Sequence, residues 1–163
     1  MKPDTPAEPV DEVTAYHEAG HAVMALVLGR PVAFVSALPA RQHLGICEFG
    51  KAVFRPSEDW LEREMLIALA GIAAEAYHTG TYDWHAGGKD AAYAERLALD
   101  RADGHERKAQ RLVRRMLAKA EHLLGQPAHW RAVGLLAAEL VRRGEVSGRA
   151  ARHFFEQSLR QER

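Results

Sequence analysis

The chain of 163 residues holds a single cysteine, Cys47. One thiol excludes an internal disulfide and any zinc site built on several cysteines, leaving histidine and carboxylate side chains as metal ligands. Long apolar runs are also missing. The longest stretches, around Ala22–Leu28 and Met65–Ala74, fall short of the ~20 residues that cross a bilayer, so no membrane span is expected. Aromatic residues make up only 7% of the chain and do not interleave with basic ones. No recognition motif accompanies them, which argues against a nucleic-acid partner. A G-x-x-x-x-G-K-[ST] phosphate loop is absent, and no internal repeat is evident.

Net charge is zero, yet the two parts of the chain differ in sign. Residues 1–100 carry 8 Lys/Arg against 15 Asp/Glu, and residues 101–163 carry 14 against 7. The basic residues Arg107, Lys108, Arg111, Arg114 and Arg115 spread round their helix and read as a solvated surface. With 47% apolar and 27% charged residues, the composition is that of an ordinary globular protein. The length suits one domain, expected over residues 11–163 behind a flexible lead-in over 1–10 that contains three prolines. That lead-in does not read as a signal peptide, and with the lone cysteine it sets the expectation of a cytoplasmic protein.

Helical periodicity runs from Asp11, a candidate N-cap, to Leu28, with Gly29 and Pro31 as the stop. Val32–Leu38 and Leu44–Val53 are the strand candidates, joined by a Pro39–Gly45 link. Ser57 is the expected cap of a second helix reaching His78. Its stripe of Leu61, Met65, Ala68 and Ile72 places Glu75 on the same inward face, where a carboxylate needs a partner. A glycine-rich loop over Thr79–Lys89 leads to a third helix opened by Asp90. Further helices are expected over His105–Leu124, over Pro127–Arg143 with Gly144 at its end, and from Ser147 onward. The expected fold class is α+β and predominantly helical, a first helix and small β-sheet followed by a C-terminal helical bundle.

The first helix contains His17-Glu18-Ala19-Gly20-His21. At about 100° per residue, His17 and His21 stand one turn apart on one face and can direct two imidazoles at one ion. Two neutral imidazoles leave Zn²⁺ open to a carboxylate and a water, whose pKa the metal lowers toward ~7, and Glu18 beside them is the natural general base. Gly20 in mid-helix costs about 1 kcal/mol relative to alanine, which suggests close approach by another element. A third ligand in the metzincin pattern would need glycine and histidine where this chain has Met24 and Val27, so that class is excluded. Glu75 and Asp90 are the carboxylate candidates, with Asp83 and His85 in the loop as outsiders. Asp90 follows two glycines that permit backbone approach. Glu75 also suits the acceptor that orients a ligand imidazole. His85 and Lys89 are placed to border the metal, although spacing assigns neither as a second oxyanion donor.

Thr14-Ala-Tyr-His-Glu-Ala-Gly-His-Ala-Val closely resembles the zinc-site helix of the FtsH-type AAA+ protease family, and Leu69-Ala-Gly-Ile-Ala-Ala-Glu75 resembles its second helix. Pro31–Gly45, Gly87-Gly-Lys-Asp90 and Ala109–Gly148 extend the likeness over nearly the whole chain. The resemblance implies zinc held by His17, His21 and Asp90, catalysis by Glu18, and Glu75 supporting the site without being the third ligand. There are departures. The 163 residues contain no counterpart of the family's ATPase module or transmembrane helices, Ile72 replaces an arginine, Lys89 replaces an asparagine, and the stretch around Asp100–Arg107 is shortened. The hexameric ring of the family is therefore not carried over, and homo-oligomerisation stays open.

The function expected on this basis is a stand-alone, ATP-independent zinc metalloendopeptidase. It would hydrolyse flexible or unfolded polypeptides by a zinc-activated water, with Glu18 as general base. The competing expectation is a non-catalytic, zinc-bound protein-interaction module that keeps the protease fold.

Overall fold

Asp11 begins the first helix through its side chain. Its carboxylate accepts from the Thr14 backbone N–H at 3.0 Å and from the Thr14 hydroxyl at 2.8 Å, satisfying a donor that the first turn leaves unpaired. The computed structural model describes residues 9–39, 45–51, 59–84 and 88–162. In it α1 runs over Glu12–Val27. Gly29, at φ 76°, ends the helix. Its N–H bonds the Leu26 carbonyl and the Arg30 N–H bonds the Ala25 carbonyl at 2.8 Å. This is a Schellman closure, whose left-handed residue is almost always glycine. It turns Arg30 back along the helix before Pro31 starts the sheet.

β1 (Val32–Ser36) lies between β2 (Ile46–Phe49) and β3 (Glu145–Ser147), and both pairings are antiparallel. Val35 faces Cys47 on one side and Val146 on the other. The sequence reading contains β1 and β2 but not β3. Three residues are too few to show an alternating pattern, and their partners lie more than a hundred positions away. Gly148 directly after β3 could be nothing else, because a Cβ there would overlap the Val32 carbonyl. β2 is shorter than the expected Leu44–Val53. Leu44 and residues 52–53 lie outside the described residues, and Gly50 and Lys51 are not strand.

α2 (Trp60–Thr79) is capped by Asp59, whose carboxylate accepts from the Glu62 N–H at 3.1 Å. The expected cap, Ser57, lies outside the described residues, and the helix starts two positions later than a Ser57 cap requires. Every residue from Arg63 to Ala76 is buried, as expected of a helix enclosed on all sides. The stripe assigned from periodicity is correct in direction but too narrow, and Leu61 at its outer end is only half-buried. α2 packs against α1, α3 and α4. Where it crosses α1, a Cβ on Gly20 would stand 2.5 Å from Ala74 Cβ and 2.7 Å from the Ala70 carbonyl oxygen. The close approach expected from a mid-helix glycine is therefore that of α2.

α3 (Gly88–Arg101) starts two residues before Asp90, which sits in its first turn rather than opening it. Asp103 at φ 50° and Gly104 at φ 81° turn the chain into α4 (Glu106–Leu124). α5 (Pro127–Arg143) ends at Gly144, and α6 (Gly148–Arg160) is capped by Ser147, which accepts from the Ala150 N–H at 3.1 Å. Among the described residues the architecture is six helices and one three-stranded antiparallel sheet, an α+β fold dominated by helix. The part of the expected lead-in over 1–8 lies outside the described residues, and Val10 packs against the core. No described helix is long and apolar enough to cross a membrane.

Candidate metal centre

The α1–α2 crossing places His17 and His21 over the middle of the most buried helix. The carbonyl of Ile67 on α2 accepts a hydrogen bond from His21 Nδ1 at 2.7 Å, and Glu75 Oε2, two turns further along α2, accepts from His17 Nδ1 at 2.9 Å. Carbonyl and carboxylate oxygens can only accept, so each ring carries a proton on Nδ1, and an imidazole that gives up its other proton presents a lone pair at Nε2. These lone pairs converge. The two Nε2 atoms are 3.1 Å apart, and Asp90 Oδ2 lies 2.9 Å from that of His17 and 3.0 Å from that of His21.

Three acceptor atoms at such separations repel unless positive charge sits among them. Donors around a tetrahedral zinc, at ~2.0–2.1 Å from it, stand about 3.3 Å apart. The triangle therefore needs to open by only a few tenths of an ångström to receive the ion. Two imidazoles and a carboxylate, with one coordination position left for water or substrate, form the donor set of a catalytic rather than a structural zinc site. His17, His21 and Asp90 are also the group of potential ligands that the described residues bring together. Of the other candidates, Glu75 supports His17 from behind, Asp83 does not join the group, and His85 lies outside the described residues.

The electrostatics have the same sign. Burial opposes a charged imidazole at His17, but hydrogen bonds to Asp90 and Glu75 and the charge of Glu18 outweigh it and lift the group from 6.5 to about 10. His21 is raised as well, against its burial, chiefly by Asp90. Asp90 is held below its ordinary range because the imidazoles outweigh its own desolvation. The pocket favours a positive centre, supplied by protons where no metal is bound.

Glu18 is 7% exposed and lines the same cleft, a cavity of about 890 Å³ between α1, β2, α2 and the start of α3. A Cβ on Gly45 would stand 2.8 Å from Glu18 Cγ and 3.0 Å from its Oε1, so the chain entering β2 presses on the Glu18 side chain. Cys47 also lines the cleft. Burial first, then the charge of Glu18, pushes its thiol well above the usual range, leaving a protonated group that is a poor metal ligand. Lys89 lies on the cleft wall next to Asp90.

Sequence reasoning missed Gly71. A Cβ at this position would overlap His21 Nε2 and stand 2.7 Å from His17 Nε2. α2 thus passes behind the ligand nitrogens with only a hydrogen in the gap. The signal was a glycine in the middle of an apolar helix, the same signal that was read correctly at Gly20.

Compared with known proteins, the chain matches no family model and no curated protein.

Proposed function

We propose that the protein is a zinc metalloendopeptidase that cleaves flexible or unfolded polypeptides, with the FtsH-type peptidase domain as the architecture it resembles. The observation that carries this reading is the convergence of His17 Nε2, His21 Nε2 and Asp90 Oδ2 within 2.9–3.1 Å of one another, in an open cleft shared with Glu18. Zinc held there would polarise a peptide carbonyl and lower the pKa of a water toward ~7.

The chain's own residues do the remaining work. Glu75 and the Ile67 carbonyl fix the two imidazoles in the tautomer that leaves Nε2 free to ligate. Glu18 accepts a proton from the attacking water at its carboxylate and delivers it to the leaving amine nitrogen. Among the described residues β2 is an edge strand of the sheet, and Gly45, Ile46, Cys47 and Phe49 line the cleft. An extended peptide can add to that edge, main-chain hydrogen bonds setting its register over the metal. A cavity of about 890 Å³ takes a few extended residues and no folded domain, in keeping with unfolded polypeptide as the substrate.

The test is turnover of an unstructured casein-like chain by the zinc-reconstituted protein. Cleavage that a chelator abolishes and zinc restores supports the peptidase. Stoichiometric zinc with no cleavage favours the interaction module instead.

A further inference from the structure

One end of the cleft is built differently from the rest. Arg30, delivered there by the closure at the end of α1, bridges two walls. Its Nη1 donates to Glu64 Oε2 on α2, and its guanidinium lies 4.3 Å from the centre of the Phe49 ring on β2. Tyr93 on α3 lines the same end, with Ile67 and Ala68 alongside. The result is an apolar-walled recess next to the metal ligands with an ion pair at its base.

The two members of that pair are not equally available. Glu64 keeps only 6% of its side chain in contact with solvent, and Arg30 keeps 20%, so Arg30 is the more open member of the pair. Arg30 Nε is buried with no hydrogen-bond partner among the described residues, so only the rest of the side chain is open to an incoming group. Tyr93, half-buried on the cleft wall, offers a hydroxyl at the same end. Burial, and then the charge of Glu64, raises its pKa, so it stays a neutral donor. The Arg30 guanidinium and the Tyr93 hydroxyl are donors at this end of the cleft, and Glu64, the carboxylate beside them, is committed to Arg30. An apolar side chain would cover these donors and leave them unpaired, at a cost. A lysine would bring a second cation beside Arg30. A carboxylate satisfies the donors and forms a charge-assisted contact with guanidinium.

We infer that Arg30, braced by Glu64 and Phe49, is the base of a side-chain subsite that selects an acidic residue in the peptide bound beside the metal centre. The inference rests on the peptidase reading for its substrate. Its recognition step can nevertheless be measured without catalysis.

The experiment uses unstructured peptides that are identical except for Glu, Gln, Leu or Lys at one position, moved in turn through the sites flanking the cleaved bond. Equilibrium binding is measured on the zinc-loaded Glu18→Gln protein and kcat/KM on the wild type. At one position Glu should be favoured over Leu and over Lys by about tenfold or more, a range fitting a part-buried charge contact, with Gln between. Arg30→Met should collapse or reverse that order and Arg30→Lys should retain part of it, with zinc content as the check on folding. Tight binding of acidic peptides without cleavage would overturn the peptidase and keep the subsite. Cleavage with no preference for Glu at any position, or a preference that survives Arg30→Met, would overturn the subsite. If Arg30→Met does not fold, the wild-type series and Arg30→Lys decide.

Discussion

His17 and His21 turn their Nε2 atoms toward each other across 3.1 Å, while the opposite nitrogen of each ring is already held, one by Glu75 and the other by the Ile67 carbonyl. Neither ring can relieve the contact by exchanging tautomers without giving up a buried hydrogen bond. Metal binding at the proposed centre would thus depend on groups behind the ligands as much as on the ligands themselves.

Glu75 is the first of these. Glu75→Ala should leave a helical, folded protein whose zinc affinity falls roughly 10–100-fold, the usual effect of removing the acceptor behind a ligand imidazole. Glu75→Gln, which can still accept at its amide oxygen, should lose less. Competition against a calibrated zinc chelator measures both, and an unchanged affinity in Glu75→Ala would show that His17 needs no such support.

Gly71 makes a sharper case. Gly71→Ala places a methyl group against the two ligand nitrogens, 2.7 Å from His17 Nε2. The nitrogens must part or the helices must separate, and overpacking of this kind costs about 1–3 kcal/mol. Zinc content and thermal unfolding should both fall. At Gly20 the obstruction is Ala74 Cβ and the Ala70 carbonyl, so Gly20→Ala should lower stability by a similar amount with a smaller effect on metal affinity. Equal loss of zinc in both variants would contradict the assignment of Gly71 to the metal centre.

Removing the metal should give a distinct pH dependence. His17 is lifted from 6.5 to about 10, so its contribution to stability is complete below 6.5 and is lost as pH rises through 10. Asp90 lies below its ordinary 3.8, so its contribution is present above that value and is lost as pH falls through its depressed one. Metal-free protein should therefore become easier to denature between pH 6.5 and 10, whereas zinc-loaded protein, freed from proton competition, should not. Urea midpoints with and without chelator test this. A metal-free midpoint that climbs across the window would contradict it.

Gly45 offers a way to disturb Glu18 while leaving the ligands alone. A side chain at this position meets Glu18 Cγ at 2.8 Å and Thr14 Cγ2 at 2.9 Å. Gly45→Val should lower kcat about tenfold or more by displacing the general base, with zinc stoichiometry retained. Loss of zinc along with activity would place Gly45 in the support of the metal instead.

Much of this centre was legible in the sequence because helical spacing is rigid. His17 and His21 had to share a face, and the Leu61–Ile72 rhythm carried on to an inward Glu75. Asp11, Ser147, Gly29 and Gly144 acted where their chemistry predicts. Asp90 was a different matter, because spacing left it level with Glu75, and the choice between them came from a resemblance. Their separation is settled only by how α2 and α3 pack, with Glu75 behind His17 and Asp90 in front of both rings. β3 escaped notice because three residues hold no period. Arg30 escaped because its role depends on Glu64 and Phe49, which come from two other elements. Local pattern identifies a face of a helix, whereas a recess shared by three elements appears only once they are packed.

The central claim is that Glu18 moves protons beside a zinc held by His17, His21 and Asp90. Its most direct test compares cleavage of an unstructured polypeptide by zinc-loaded wild type and by zinc-loaded Glu18→Gln, with metal content measured on both. Equal zinc in the two proteins and a rate at least ~10²-fold lower in Glu18→Gln is the predicted result. Equal rates, or no cleavage by wild type carrying one zinc, would contradict it.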